Sequence, residues 1–220
     1  MTTTNAPTPP ILAKPRLRGV LHQWAFAVSV VLGLVLVLAA SGGRETVAAA
    51  VYAGSVAALL GTSALYHRVN WSRASARRWM RRLDHAMIFV LIAGTYTPFA
   101  LLALDGTLAT AILIAVWSGA AGGIVLQLVW VDAPKWLSAL VYVVLGWVAV
   151  LAFPGLIDGI GVLGTMLVAA GGLLYTLGAV VYALGRPDPA PTVFGYHEIF
   201  HALVIVAAAL QYAAIAFYVV

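Results

Sequence analysis

Long apolar runs alternate with short polar breaks along most of the chain, and this pattern predicts its architecture. Seven runs are each long enough to cross the hydrocarbon core of a bilayer, about 30 Å thick, as an α-helix. The runs are continuous, whereas the strands of a membrane barrel alternate polar and apolar residues over about ten positions. We therefore predict an all-α protein, a polytopic bundle of seven transmembrane helices. The predicted spans are Gly19–Ala40, Glu45–His67, Leu83–Leu104, Thr107–Val131, Trp136–Phe153, Gly159–Leu184 and Phe194–Val220.

The beginning of the chain differs in composition from the rest. Residues Met1 to Ala13 are rich in Thr and Pro, which is typical of segments that do not build a packed core. Three basic residues, Lys14, Arg16 and Arg18, follow before the first apolar run. We predict a disordered cytoplasmic tail over residues 1–18 and a single membrane domain over residues 19–220.

The overall composition supports a multi-pass protein of the cell (plasma) membrane. Apolar residues make up 63% of the chain and charged residues 9%, against about 25% charged in a soluble domain. The chain has no cysteine, which excludes disulfides, iron–sulfur clusters and thiolate metal sites, so a metal would need nitrogen and oxygen ligands. The net charge of +5 does not indicate a nucleic-acid partner, because the basic residues lie in loops beside membrane spans. We expect no such partner.

The distribution of basic residues predicts the orientation of the bundle. With seven spans, every lysine and arginine except Arg44 falls on one side of the membrane. Because cytoplasmic loops are enriched in Lys and Arg, we predict a cytoplasmic N-terminus and an external C-terminus. The loop Arg68–Arg82 holds the densest group of arginines, and we expect it to contact anionic lipid headgroups.

A histidine pair opens the last apolar run. His197 and His201 are four residues apart, so on a helix both lie on one face and both can reach one metal ion. With Glu198 they also spell H-E-x-x-H, the zincin pattern in which the glutamate is the general base. A zincin takes its third ligand from downstream, but residues 202–220 contain no Asp, Glu or His. An intramembrane metalloprotease is therefore the weaker of the enzyme hypotheses.

Other polar residues are predicted at the same membrane depth as this pair. Ser63 and His67 end the second predicted helix, and Asp84 begins the third. All of them fall on the cytoplasmic side, where His197 and His201 begin the seventh helix. Three imidazoles and one water form a catalytic type of zinc site, in which zinc can lower the pKa of the water to near 7. We assign the three histidines as Zn²⁺ ligands.

Two residues beside these ligands are the candidates for catalysis. We expect Asp84 to act as general base or acid towards the metal-bound water, and Ser63 to orient a ligand or to bond a substrate oxygen. The alternatives are a salt bridge from Asp84 to an arginine of the preceding loop, and a bond from Ser63 to its own helix. His85 is rotated about 100° from Asp84 and is expected to face lipid headgroups or a neighbouring helix. His22 is expected to be isolated, and neither histidine is assigned as a ligand.

These residues carry a resemblance to a known family. Ser63-x-x-x-His67, Asp84 and His197-x-x-x-His201 resemble the hemolysin III family, as does the stretch Ala93–Pro98. That family belongs to a superfamily of seven-helix membrane proteins with the progestin and adipoQ receptors and the alkaline ceramidases. The resemblance implies zinc held by the three histidines, an aspartate and a serine close to the metal-bound water, and a cytoplasmic N-terminus. The family is named for haemolytic behaviour, and its receptor relatives hydrolyse ceramide-type amides.

Two classes of function follow from the site and the resemblance. The first is a zinc-dependent hydrolase of a lipid amide or ester, with a ceramide-like substrate reached at the cytoplasmic leaflet. The second is a membrane protein with structural zinc and no enzymatic activity, either a sensor or regulator of lipid state or a pore-forming cytolysin. An open ligand position on the metal favours the enzyme, whereas a fourth protein ligand favours the structural role.

Overall fold

A computed structural model describes residues 14–220, and within them the fold is a bundle of helices without a named strand. The prediction of an all-α protein is confirmed. Residues 1–13, most of the predicted tail, lie outside the described part. The α-helices are α1 (Val20–Ala39), α2 (Gly43–Arg68), α3 (Ala74–Pro98), α4 (Gly106–Val129), α5 (Lys135–Gly146), α6 (Phe153–Leu184) and α7 (Tyr196–Tyr218). A π-helical turn, Phe99–Ala103, follows α3 directly after its terminal proline, and a 3-10 segment, Trp147–Ala152, joins α5 to α6.

Six helical runs in the described residues are long and apolar enough to cross a membrane. The fifth, Lys135–Leu184, has 50 residues and would be about 75 Å long as a straight helix. Instead it folds back on itself: the Nζ atom of Lys135 lies 5.7 Å from the ring centre of Tyr182. Further along the two segments, Trp147 Nε1 donates a hydrogen bond to Thr176 Oγ1 at 2.9 Å. The stretches predicted as the fifth and sixth spans both lie within this run, and they pack against each other.

The start of α3 differs from the prediction. The stretch Arg68–Arg82 was predicted as a loop, with Asp84 at the start of the next helix, but α3 begins at Ala74. Arginine is among the better helix formers, so the basic residues extend the helix beyond its apolar part. Asp84 consequently lies on the third turn of α3, on a backbone that is held by helical hydrogen bonds on both sides.

The bundle encloses α2 and α3 most completely. Half of the apolar window of each of these helices is buried, against 17% for α1. Small residues allow the close approach, since a side chain at Gly94 on α3 would collide with Ser55 on α2. The residues of the predicted site that come from α2 and α3 therefore sit on the two helices that are least free to move.

Candidate metal centre

Three histidines from two helices meet at one end of the bundle. His67 is the second-last residue of α2, while His197 and His201 occupy the first two turns of α7. Nε2 of His67 lies 3.1 Å from Nε2 of His197, and one nitrogen from each of the three rings lies within 4.8 Å of the others. His67 and His201 are buried and His197 is partly exposed. The structure thus brings together all three predicted ligands.

The donor set of this triad fits a metal ion. Tetrahedral ligands about 2.0–2.1 Å from a metal are separated from one another by about 3.3 Å. The separation of 3.1 Å between His67 and His197 is close to that value. The two nitrogens are close enough for an N–H···N hydrogen bond, and with both as acceptors they could instead share a cation. His67, His197 and His201 are the residues that would hold such an ion.

Asp84 and Ser63 lie beside the triad. Oδ2 of Asp84 is 3.7 Å from Nε2 of His67, and the Ser63 hydroxyl interacts with the same carboxylate. Both side chains are buried. The salt bridge considered from the sequence is absent in the described residues, because Arg81 pairs with Asp132 at 2.8 Å instead. The carboxylate is therefore directed at the candidate metal centre and not at the basic residues on its own helix.

His22 is a member of this site that the sequence did not identify. Its ring stacks on that of His201, with ring centres 3.7 Å apart and planes 12° from parallel. His22 is outside the group of three histidines that could hold a metal ion. His22 is 2% exposed, and both of its ring nitrogens lack a hydrogen-bond partner among the described residues. The signal that could have identified His22 was its position in the first turn of α1, on the same predicted membrane side as the three other histidines.

The glutamate of the H-E-x-x-H pattern has a different role from that in a zincin. Glu198 is 1% exposed and forms an ion pair with Arg18, just before α1. Its other oxygen accepts a hydrogen bond from the backbone N–H of Gly195 at 2.9 Å, which caps α7. The carboxylate thus binds residues that directly precede two helices, Arg18 before α1 and Gly195 before α7. This geometry leaves the metalloprotease hypothesis without its general base.

The segment before α1 is packed against the ligand-bearing helices. Backbone N–H groups of Arg16 and Leu17 donate hydrogen bonds to the carbonyl groups of Thr192 and Val193, just before α7. Gly19 has φ 80°, and a β-carbon there would lie 2.6 Å from Cβ of His67. Only glycine combines this left-handed conformation with so close an approach. The part of the predicted tail that the structure describes is therefore a wall of the site.

Two cavities are lined by histidines of the triad, one by His197 and His201 and the other by His67. The first, about 350 Å³, extends from His197, His201 and Asp84 into the interior of the bundle between α3, α5, α6 and α7, and its lining is mostly apolar. His85 also lines this cavity; its Nδ1 lies 3.3 Å from Oε1 of Gln127 on α4. The second cavity, about 290 Å³, lies on the other side of His67 and is lined largely by polar and basic side chains.

These features define a helical integral membrane protein with a candidate metal centre of three histidines. The chain belongs to the haemolysin-III related family, whose sequence model matches residues 11–212. It is 34% identical over 191 residues to a hemolysin-3 homolog of Bacillus subtilis (strain 168), covering 86% of each chain. It is 31% identical over 204 residues to hemolysin-3 of Bacillus cereus, covering 91% of this chain and 90% of that one.

A relative from animals extends this relationship. The chain is 29% identical over 176 residues to the monocyte to macrophage differentiation factor of Homo sapiens, covering 78% of this chain and 70% of that protein. This match relates the chain to the progestin and adipoQ receptor family. The family predicted from the serine, aspartate and histidine motifs is confirmed.

Proposed function

We propose that this protein is a zinc-dependent membrane hydrolase of lipid amide or ester bonds. One observation carries the proposal: a buried carboxylate, Asp84, lies beside three histidines at the mouth of an apolar cavity of about 350 Å³. Concave apolar sites with a few convergent polar groups are the usual form of a small-molecule site.

Each polar residue has a distinct role in this proposal. His67, His197 and His201 hold zinc, which supplies Lewis-acid chemistry and makes water a stronger acid. Asp84 is placed to take a proton from the attacking water at Oδ2 and to return it to the leaving group. Ser63 keeps that carboxylate oriented through its hydroxyl. In this proposal the carboxylate carries the proton and is not a fourth ligand.

The apolar cavity supports a lipid as the substrate. Its walls include Leu91, Phe99, Leu156 and Val204, side chains that can surround an acyl chain but offer it no hydrogen bond. An acyl chain in this cavity would leave its amide or ester group at the histidines. Ceramide-like lipids and acyl esters both have this arrangement of an apolar chain and a hydrolysable group.

The proposal includes the topology that the basic residues predict. Two spans within Lys135–Leu184 are supported by the approach of Lys135 to Tyr182, which brings the two ends of that run together. Seven spans place the N-terminus in the cytoplasm and the C-terminus outside, with the site at the cytoplasmic leaflet of the plasma membrane. The arginines between Arg68 and Arg82 then face anionic headgroups. A reporter fused after Val220 should be active outside the cytoplasm; activity inside would overturn this topology.

The decisive test of the enzyme is Asp84→Asn. This change keeps the size of the side chain and removes the base. Purified protein should keep its zinc and its thermal stability, and should lose hydrolysis of a panel of ceramides and acyl esters by about 10²–10⁴-fold. Asp132→Asn, an exposed aspartate elsewhere in the chain, is the matched control and should leave turnover unchanged. Loss of zinc in Asp84→Asn would instead identify a fourth ligand and a structural site.

A second candidate function rests on the relatives. The chain is 31% identical to a protein named hemolysin-3, so lysis of erythrocyte membranes is a further activity to test. If lysis is a consequence of lipid hydrolysis, Asp84→Asn abolishes both activities. If the protein lyses cells by forming a pore, lysis persists in that variant.

A further inference from the structure

The second cavity at the candidate metal centre is a strongly basic one. Lys14 and Arg18 from the segment before α1 line it, together with Arg77 from the first turn of α3. His67 forms part of its wall, so the cavity opens directly onto a candidate metal ligand. Tyr66 and Asn70 supply further polar groups. Charged side chains here surround a space of about 290 Å³, large enough for a polar headgroup.

Among the described residues, neither Lys14 nor Arg77 forms an ion pair with a carboxylate. The carboxylate of Asp84 lies 3.7 Å from Nε2 of His67 in the cavity wall. Glu198 neutralises Arg18 only. Arg68 lies close by, with its Nε atom bonded to the neutral Gln23. The pKa of the Lys14 ammonium is lowered, first by burial and then by repulsion from Arg68, Arg18 and Arg77. Mutual repulsion of this kind is relieved by an anion, and lysine and arginine both bind phosphate through charge-assisted hydrogen bonds.

We infer that this basic cavity is a binding site for the phosphate of an anionic lipid headgroup, with the acyl chain of the same lipid in the apolar cavity. The inference rests on the proposed function and narrows it from lipids in general to acyl lipids with an anionic head. An amphipathic lipid fits this arrangement, because its polar head would lie in the basic cavity and its acyl chain in the apolar cavity. His201 lines the apolar cavity, His67 lines the basic cavity, and one ring nitrogen from each lies within 4.8 Å of the other. The hydrolysable bond of a lipid lies between its head and its chain, which is where the histidines stand.

Binding of short-chain lipids to purified zinc-loaded protein in neutral detergent tests this assignment. The probes are a dioctanoyl phosphatidic acid, an octanoyl ceramide without phosphate, and inorganic phosphate. Wild type should bind the phosphatidic acid about tenfold more tightly than the ceramide, because charge-assisted hydrogen bonds form only with the phosphate. The preference should shrink as salt is raised, since the cavity is open to water.

Variants that reverse the charge of residues lining the basic cavity complete this test. The double variant Lys14→Glu/Arg77→Glu should lose the tenfold preference and bind the ceramide as wild type does. Arg78→Glu changes the neighbouring arginine, which does not line the cavity, and should keep most of the preference. Zinc content and thermal stability, measured on all three proteins, should be equal and would show that the double variant is folded.

The outcomes separate this inference from the proposed function. Equal binding of phosphatidic acid and ceramide, or a preference that survives in the double variant, would overturn the headgroup site while the hydrolase proposal stands. Binding of inorganic phosphate as tight as that of phosphatidic acid would show a site for free phosphate and not for a lipid. Selective binding of phosphatidic acid without hydrolysis of any lipid would support the site and refute the enzyme.

Discussion

The two cavities on either side of the histidines differ in almost every physical respect. The inner one is walled by apolar side chains from the interior of the bundle, whereas the outer one is walled by basic side chains near the helix ends. Burial favours apolar ligands in the first, and exposed charge favours anions in the second. In the proposed hydrolase, a metal centre held by the histidines would act on a molecule that satisfies both environments. The difference between the cavities therefore says more about the substrate than the histidines do.

The largest expected effect comes from removing one of the three histidines that line the two cavities. His201→Ala removes one of three ligands and should reduce zinc in the purified protein from about one equivalent to near zero. Gln211→Ala, further along α7 in the wall of the apolar cavity, should leave zinc unchanged although it removes a hydrogen bond to the carbonyl group of Val168. Elemental analysis of both variants makes the comparison. Full zinc occupancy in His201→Ala would show that the ligands are misassigned.

A smaller effect is expected from the wall of the basic cavity. Arg18→Ala leaves the buried carboxylate of Glu198 without its partner, and we expect a loss of about 3–5 kcal/mol of stability. Arg81→Ala breaks the exposed pair with Asp132 and should cost about 0–1 kcal/mol. Thermal unfolding in detergent measures both. Equal and small shifts in the two variants would mean that the segment before α1 does not hold α7 in place.

The pattern of the sequence was sufficient for most of the helices and for the pair His197 and His201 on one helix face. Apolar runs of membrane length and a histidine pair at i and i+4 are local signals, and each predicts a feature that depends on one helix alone. The stacking of His22 on His201 and the pairing of Arg18 with Glu198 join residues about 180 positions apart. Such contacts depend on how the first and last helices pack together, and no local pattern reports this.

The prediction for the basic stretch failed for a different reason. Charge density between Arg68 and Arg82 indicated a loop, because charged residues are excluded from the hydrocarbon core. The helix α3 nevertheless begins at Ala74, since a helix that continues out of the membrane keeps its backbone hydrogen bonds and presents its arginines to water and headgroups. This extension is also what places Arg77 in the wall of the basic cavity.

The smallest expected effect comes from changing His22, which lines the apolar cavity and stacks on His201. His22→Ala removes the stacked ring and frees His201 to rotate, so zinc affinity should fall about tenfold, as for other groups that orient a metal ligand. His22→Phe keeps a flat ring of similar size and should retain most of the affinity. His85→Ala is the matched control, because that histidine bonds Gln127 and not the triad. Competition with a zinc chelator measures all three. If His22→Phe and His22→Ala lower the zinc affinity equally, the ring nitrogens of His22 act on the centre directly and stacking is not its role. If neither variant lowers the zinc affinity, His22 has no part in holding the metal.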